Sequence, residues 1–376
     1  MNRRAVVGVA LTAALASAAV GVLVTLSLTS RAPAPSTLIG GDSKSECAEL
    51  DFQDTGLSAI ESAVSSWDSL TDSTANCLLA YNNGVSRWQE WDAPWITDPQ
   101  YGYTQWVAQS PTTRQVVLQV DLIPTSLQDT NDPLPWERSC ANGGFNSYAT
   151  TLGDNLVAAG LEHTVIRLGA EANGVWETDF VGSTAQEQHL WAKCFDNEVT
   201  GLRASGGKFI IDWNPNACDQ DIPYVNYYPG NAYVNILGLD MYDDSCTQYG
   251  TTISFSDLAN EPVSLTHFIA FANGKGKAMS FPEWGLESSD SRDDPNYISG
   301  IGATVCDNDF AFEAYFDAGA PGTLELNSSA PESLAAFQEW FGSTKLPFRN
   351  YPSWLNAVKP LRCSPQMGAR KPDYRH

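Results

Sequence analysis

The stretch "VIRLGAEANGVW", residues 165–176, decides how the chain reads. Val165, Ile166 and Leu168 form an apolar run with no breaker before Gly169, which predicts a buried strand. At its end stands a lone acid, Glu171, followed by Asn173, Gly174 and Trp176. The stretch "KAMSFPEWGLE", residues 277–287, repeats the plan with Glu283, Trp284 and Gly285. Two strands that each end on a carboxylate beside an indole suggest a pair of acids acting on a sugar.

Working outward, short apolar runs recur at 76–83, 114–124, 163–169, 207–214, 234–243, 276–285 and 322–329. Helical patterns lie between most of them, as at 148–161, 185–205 and 333–343. Strands alternating with helices predict a parallel sheet. Seven strands are plain, and an eighth reads weakly from "DAPWIT" at 92–97. Eight such units in about 290 residues predict an α/β fold of the (β/α)8 TIM-barrel type, with active residues at the C-terminal ends of the strands. The rival is a doubly wound open sheet. It would place a Gly-rich fingerprint after its first strand, and "AYNNGVS" at 80–86 is not one.

In the barrel reading Glu171 closes the fourth strand, Asn214 the fifth, Asp240 and Tyr242 the sixth, and Glu283 the seventh. Arg167 shares parity with Glu171 and should point into the barrel below it. A buried arginine needs an anionic partner. Trp176, Trp213 and Trp284 are candidate walls for a pyranose face, although Trp213 reads equally as core. Asn173 joins the candidate binding residues, and Asn173-Gly174 reads equally as a tight turn. Glycoside cleavage needs one carboxylic acid to protonate the leaving oxygen and a second carboxylate to attack or to activate water.

Composition bounds the partners. The net charge of −23 over 376 residues would repel a phosphate backbone, and the basic residues cluster only in a short tail, Arg370-Lys371 with Arg375. Nucleic acid is therefore not expected, and a neutral polysaccharide fits. Buried aromatics explain part of the load of 12 Trp and 14 Tyr, as in any large fold, and an aromatic-lined cleft would explain the rest. Four His, none in H-E-x-x-H, argue against a zinc hydrolase; no metal or cofactor is expected, and the chain is read as a monomer.

Arg3 and Arg4 precede an apolar run, residues 5–28, that is longer than a usual signal core and near the length of a membrane span. Residues 1–31 are thus a signal peptide or a signal anchor, with "ASA" at 16–18 as a possible cleavage site; either way the rest is exported. Residues 32–46 read as a linker, 47–363 as a single catalytic domain and 364–376 as a tail. Eight cysteines in an exported chain suggest disulfides. Cys218 and Cys246 fall in loops after the fifth and sixth strands, neighbours on one barrel face, and are expected to pair. Cys140 with Cys194, Cys306 with Cys363 and Cys47 with Cys77 is one arrangement of the rest among many.

At these residues the sequence resembles the retaining β-glycosidases of clan A and, within them, glycoside hydrolase family 26, the β-mannanase family. "RLGAEANGVW" looks like that family's acid/base segment, "DWNPN" and "YPGNAYVNILGLDMYDD" like its fifth- and sixth-strand segments, and "FPEWGL" like its nucleophile strand. The resemblance implies that Glu171 is the acid/base and Glu283 the nucleophile. It also implies that Tyr242 hydrogen-bonds the nucleophile and that Arg167 supports the site. The chain departs from the family at Ala170, where His or Trp is usual. It departs again at the expected eighth strand, which offers Glu325 and Asn327 in place of an aromatic platform. The expected function is an exported retaining glycoside hydrolase acting on a β-linked polysaccharide. The alternatives are a barrel that only binds glycan and a transglycosylase of the cell envelope.

Overall fold

The computed structural model describes residues 56–111, 113–128, 134–218, 222–246, 253–286, 293–317 and 325–342, with the backbone of 47–49. The apolar run at 5–28, the linker and the C-terminal tail lie outside the described residues. No helix among the described residues is long and apolar enough to cross a membrane.

Among the described residues nine strands form one sheet: β1 Cys47–Glu49, β2 Cys77–Tyr81, β3 Gln115–Val120, β4 Val165–Leu168, β5 Ile210–Trp213, β6 Ile236–Gly238, β7 Met241–Tyr242, β8 Ala278–Gly285 and β9 Phe310–Tyr315. Every pairing is parallel. β6 and β7 both pair with β8 and act as two halves of one stave, so eight staves curl until β9 lies beside β1. This is the expected (β/α)8 barrel, nearly closed.

The strands are short apolar runs because both faces are covered. One set of residues (Val117, Val165, Ile210, Ile236, Ala278) fills the barrel floor. The alternate set (Leu118, Ile166, Ile211, Leu237, Met279) packs outward into the main core. The helix Ala185–Ala204 shows how the outer layer is fixed. Thr184 and Glu187 form a reciprocal capping box at its start, and Trp191, Phe195, Val199 and Leu202 are buried.

The sequence reading placed the two end staves wrongly. "DAPWIT" forms a 3-10 turn at Trp95–Thr97 entered from Pro94, and the true first strand is the three-residue Cys47–Glu49, too short to show a period. Residues 325–329 of the expected last strand are bends and turn, while 322–324 lie outside the described residues. The true last strand is "FAFEAY", 310–315. Its apolar run is interrupted by Glu313, which is buried and accepts a hydrogen bond of 2.7 Å from the Trp284 indole. The falsely counted "DAPWIT" offset the missed first strand, so the third to seventh staves kept their ordinals.

The disulfides Cys140–Cys194 and Cys218–Cys246 are present as expected. Cys77 and Cys306 are also disulfide-bonded, but the side chain of Cys47 and all of Cys363 lie outside the described residues.

Candidate active site

The polar interior begins one layer above the apolar floor. Gln119, Arg167 and Asp212 stand in register on β3, β4 and β5. Ser280 on β8 donates 2.7 Å to Asp212. Arg167 is fully buried, and its guanidinium organises the next layer. Nε and Nη2 donate to Asn214 Oδ1 at 2.9 and 2.7 Å, Nη2 to Asp240 Oδ2 at 2.6 Å, and Nη1 to Glu283 Oε2 at 3.3 Å. Burial works against its charge, but Asp240 and Glu283 more than offset that and hold it protonated.

Glu283 reaches this layer through an irregularity. Ser280 points inward and Phe281 outward, where it stacks on Phe310. Strict alternation would then send Glu283 outward with Phe281. The register against β9 shifts between Phe281 and Trp284, a bulge at Pro282-Glu283 that turns the carboxylate into the barrel. There it accepts from Tyr242 Oη at 2.8 Å on Oε1 and from Tyr81 Oη at 3.2 Å on Oε2. With Arg167 it has three donors from three staves.

Glu171 is held differently. Its φ of 50° lies in the left-handed region, which costs a non-glycine residue about 1–2 kcal/mol. The turn is fixed by backbone bonds from Glu171 N to Asn214 O and from Gly174 N to Glu171 O. Asn173 clamps it to β5 by exchanging two 2.8 Å bonds with the backbone of Asn216. Gly174 is required because a Cβ there would meet the Trp176 ring at 2.6 Å. The indole can therefore fold back, and its Nε1 donates 2.9 Å to Glu171 Oε2, while Asn216 Nδ2 donates 2.6 Å to Oε1. Both donors are neutral. Burial, reinforced by the charge of Glu283, outweighs them and pushes Glu171 up to about 7.

One oxygen each of Glu171, Asp240 and Glu283 lies within 4.8 Å of the others. The two glutamates therefore share one cleft. Such a pair can deliver a proton from one side and a carboxylate from the other.

The structure separates the expected binding residues. Trp176 is 57% exposed and borders the cleft. Trp213 and Trp284 are corrected: both are buried and face away from it. Trp213 packs among Tyr227, Tyr228 and Phe271, and Trp284 against Phe337, Phe341 and Tyr315. Each follows an inward residue by one position on its strand, and alternation turns it out. Arg167, Asn173, Asn214 and Asp240 are buried beneath the cleft and act on its carboxylates or its loop rather than facing solvent.

Three residues at the cleft were missed. Tyr81 ends β2 and was read only as strand. Asn216 sits two positions past the expected Asn214. Phe316 follows the unrecognised β9, is half-buried, and meets Tyr81 edge to face. The eighth stave thus does end on an aromatic ring.

Comparisons with known proteins fit this geometry. Residues 145–283, from the helix before β4 to Glu283 itself, match glycosyl hydrolase family 26. The resemblance is to that family. Endoglucanase H of Acetivibrio thermocellus is 26% identical over 229 residues, 56% of this chain and 24% of the relative. The chain thus spans about a quarter of that relative's length. A solved endo-beta-1,4-mannanase double mutant of Cellulomonas fimi superposes with a TM-score of 0.56 at 17% identity, over 82% of this chain and 75% of the other. The GH26 endo-beta-1,4-mannanase catalytic domain of Bacillus sp. JAMB-750 gives 0.51 at 15%, over 85% and 95%. These likenesses carry the fold, and the family resemblance covers the segment 145–283.

Proposed function

We propose that the protein is an exported retaining glycoside hydrolase that cleaves a β-linked polysaccharide, with Glu171 as acid/base and Glu283 as nucleophile. The observation that carries this reading is the pair of carboxylates from β4 and β8, oxygens within 4.8 Å, one pushed up to about 7 and the other held by a guanidinium and two phenols. Retaining enzymes keep the carboxyl groups about 5–5.5 Å apart, whereas inverting ones need about 6.5–9.5 Å to admit a water.

The reaction runs in two steps. Glu283 attacks the anomeric carbon while Glu171 gives its proton to the leaving glycosidic oxygen. The same Glu171, now a carboxylate, takes a proton from water as that water displaces Glu283 from the sugar. Trp176 and Phe316 offer ring faces to a pyranose on either side of the acids. A β-1,4-glycan is the preferred substrate class, since the solved mannanases of the same fold are named for that linkage. The disulfides support export, because such bonds persist in oxidising compartments.

The test is Glu283→Ala with added azide. The expected product is a glycosyl azide of inverted anomeric configuration. Turnover by this variant at the wild-type rate without azide would overturn the assignment. Unchanged glycan binding and no turnover by either form would instead support the barrel that only binds.

A further inference from the structure

A second group of acids stands at the mouth of the barrel, outside the two-glutamate cleft. Asp121 follows β3, and Glu177 and Asp179 follow the loop that carries Glu171. One oxygen of each lies within 4.8 Å of the others, and no ion pair among the described residues reaches them. We propose that Asp121, Glu177 and Asp179 bind a hard divalent cation of the calcium type.

Four observations support the site. Three carboxylates from one chain suit calcium, which takes six to eight oxygens in flexible geometry, better than magnesium, which keeps several waters and is usually held by one or two carboxylates. Asp179 is fully buried and its Oδ2 accepts from Leu122 N at 2.8 Å, yet its Oδ1 accepts no hydrogen bond from any described residue. A buried carboxylate oxygen without a donor is costly unless a cation or proton meets it. The carboxylates are also fixed in advance: Asp121 accepts from Gly84 N at 2.9 Å and from the Thr178 hydroxyl. Finally, Glu177 is only half-buried and leaves an entry path.

The backbone makes room for the group. Gly169 has a φ of 57°, and a Cβ there would come within 3.0 Å of Asp179 Oδ2. Burial pushes Asp121 up to about 6, burial with the charge of Asp121 pushes Asp179 up to about 8, and burial with the charges of Glu171, Asp179 and Asp121 pushes Glu177 up to about 10.

Two indoles adjoin the site and supply a readout independent of any glycosidase activity. Trp91 donates 2.7 Å to the Asp121 carbonyl, and Trp191 donates 2.8 Å to that of Asp179. Terbium, which takes calcium's oxygen ligands, should emit when these indoles are excited in the chelator-treated full chain. Calcium should displace it, and magnesium should do so much less well. Asp179→Asn and the half-buried Glu177→Gln should each weaken terbium binding by about tenfold or more, since ligand charge sets affinity. Glu283→Gln should leave it unchanged. The proposal fails if no sensitised emission appears up to millimolar terbium. It fails too if Glu283→Gln abolishes the emission while both site variants retain it, which would place the ion in the cleft.

Discussion

The two sides of the cleft hold chemically identical groups in opposite ways. Glu283 is reached by one full positive charge and two phenolic hydroxyls, anchored on β2, β4 and β7. Glu171 is reached by two neutral donors from loops, Asn216 and Trp176, on a backbone turn in the left-handed region. Donors to the charged form favour that form, and burial with an adjacent negative charge opposes it. The contrast teaches that the division of labour lies in the surroundings of each carboxylate, on strands for one and in a loop for the other.

Removing the carboxylates should break the comparison most strongly. Glu283→Ala should reduce turnover by on the order of 10⁴-fold or more, on every substrate, because the attacking group is gone. Glu171→Ala should lose about 10²–10⁴-fold on a polysaccharide but much less on an aryl glycoside with an activated leaving group, which needs no proton. Steady-state kinetics on both substrates check the pair. Equal losses from Glu171→Ala on the two substrates would remove its role as acid.

Smaller changes should sharpen it. Tyr242→Phe removes a 2.8 Å bond to Glu283, and hydrogen bonds to charged groups are worth about 1.5–3 kcal/mol. A fall in kcat of about 10- to 100-fold is expected, and a lesser one for Tyr81→Phe, whose bond is 3.2 Å. The smallest effect is one of pH. Glu171 must carry a proton, so activity should fall above about pH 7. Trp176 donates to the ionised carboxylate and lowers that value. Trp176→Phe should therefore move the alkaline limb upward, by less than about one unit. A limb that moves downward would show that the indole does not serve the carboxylate.

Much of this site was legible because β4, β5 and β8 announce themselves as apolar runs ending on polar residues. Parity alone placed Arg167 inside. It would have failed for Glu283, since the bulge at Pro282-Glu283 changes the alternation; Pro282, which cannot donate to the ladder, is the mark of it in the sequence. Trp213 and Trp284 misled for a related reason: an indole beside a catalytic position along the chain points to the opposite face of the strand. Trp284→Ala should accordingly cost about 3–5 kcal/mol of stability, as for a core aromatic. Denaturant unfolding would register that loss, and a surface sugar platform would show little. β1 and β9 escaped notice because one is three residues long and the other carries a buried glutamate that accepts from Trp284 on the neighbouring strand β8.

The Cys218–Cys246 bridge ties the two halves of this comparison together. Cys218 lies two residues beyond Asn216, the donor to Glu171, and Cys246 lies four beyond Tyr242, the donor to Glu283. Both cysteines adopt left-handed backbone, with φ of 67° and 68°, a conformation that a free chain seldom keeps without a constraint. A single covalent link thus sets the position of one donor on each side. Reducing the bridge should therefore disturb the hydrogen bonds to both glutamates together rather than to one alone.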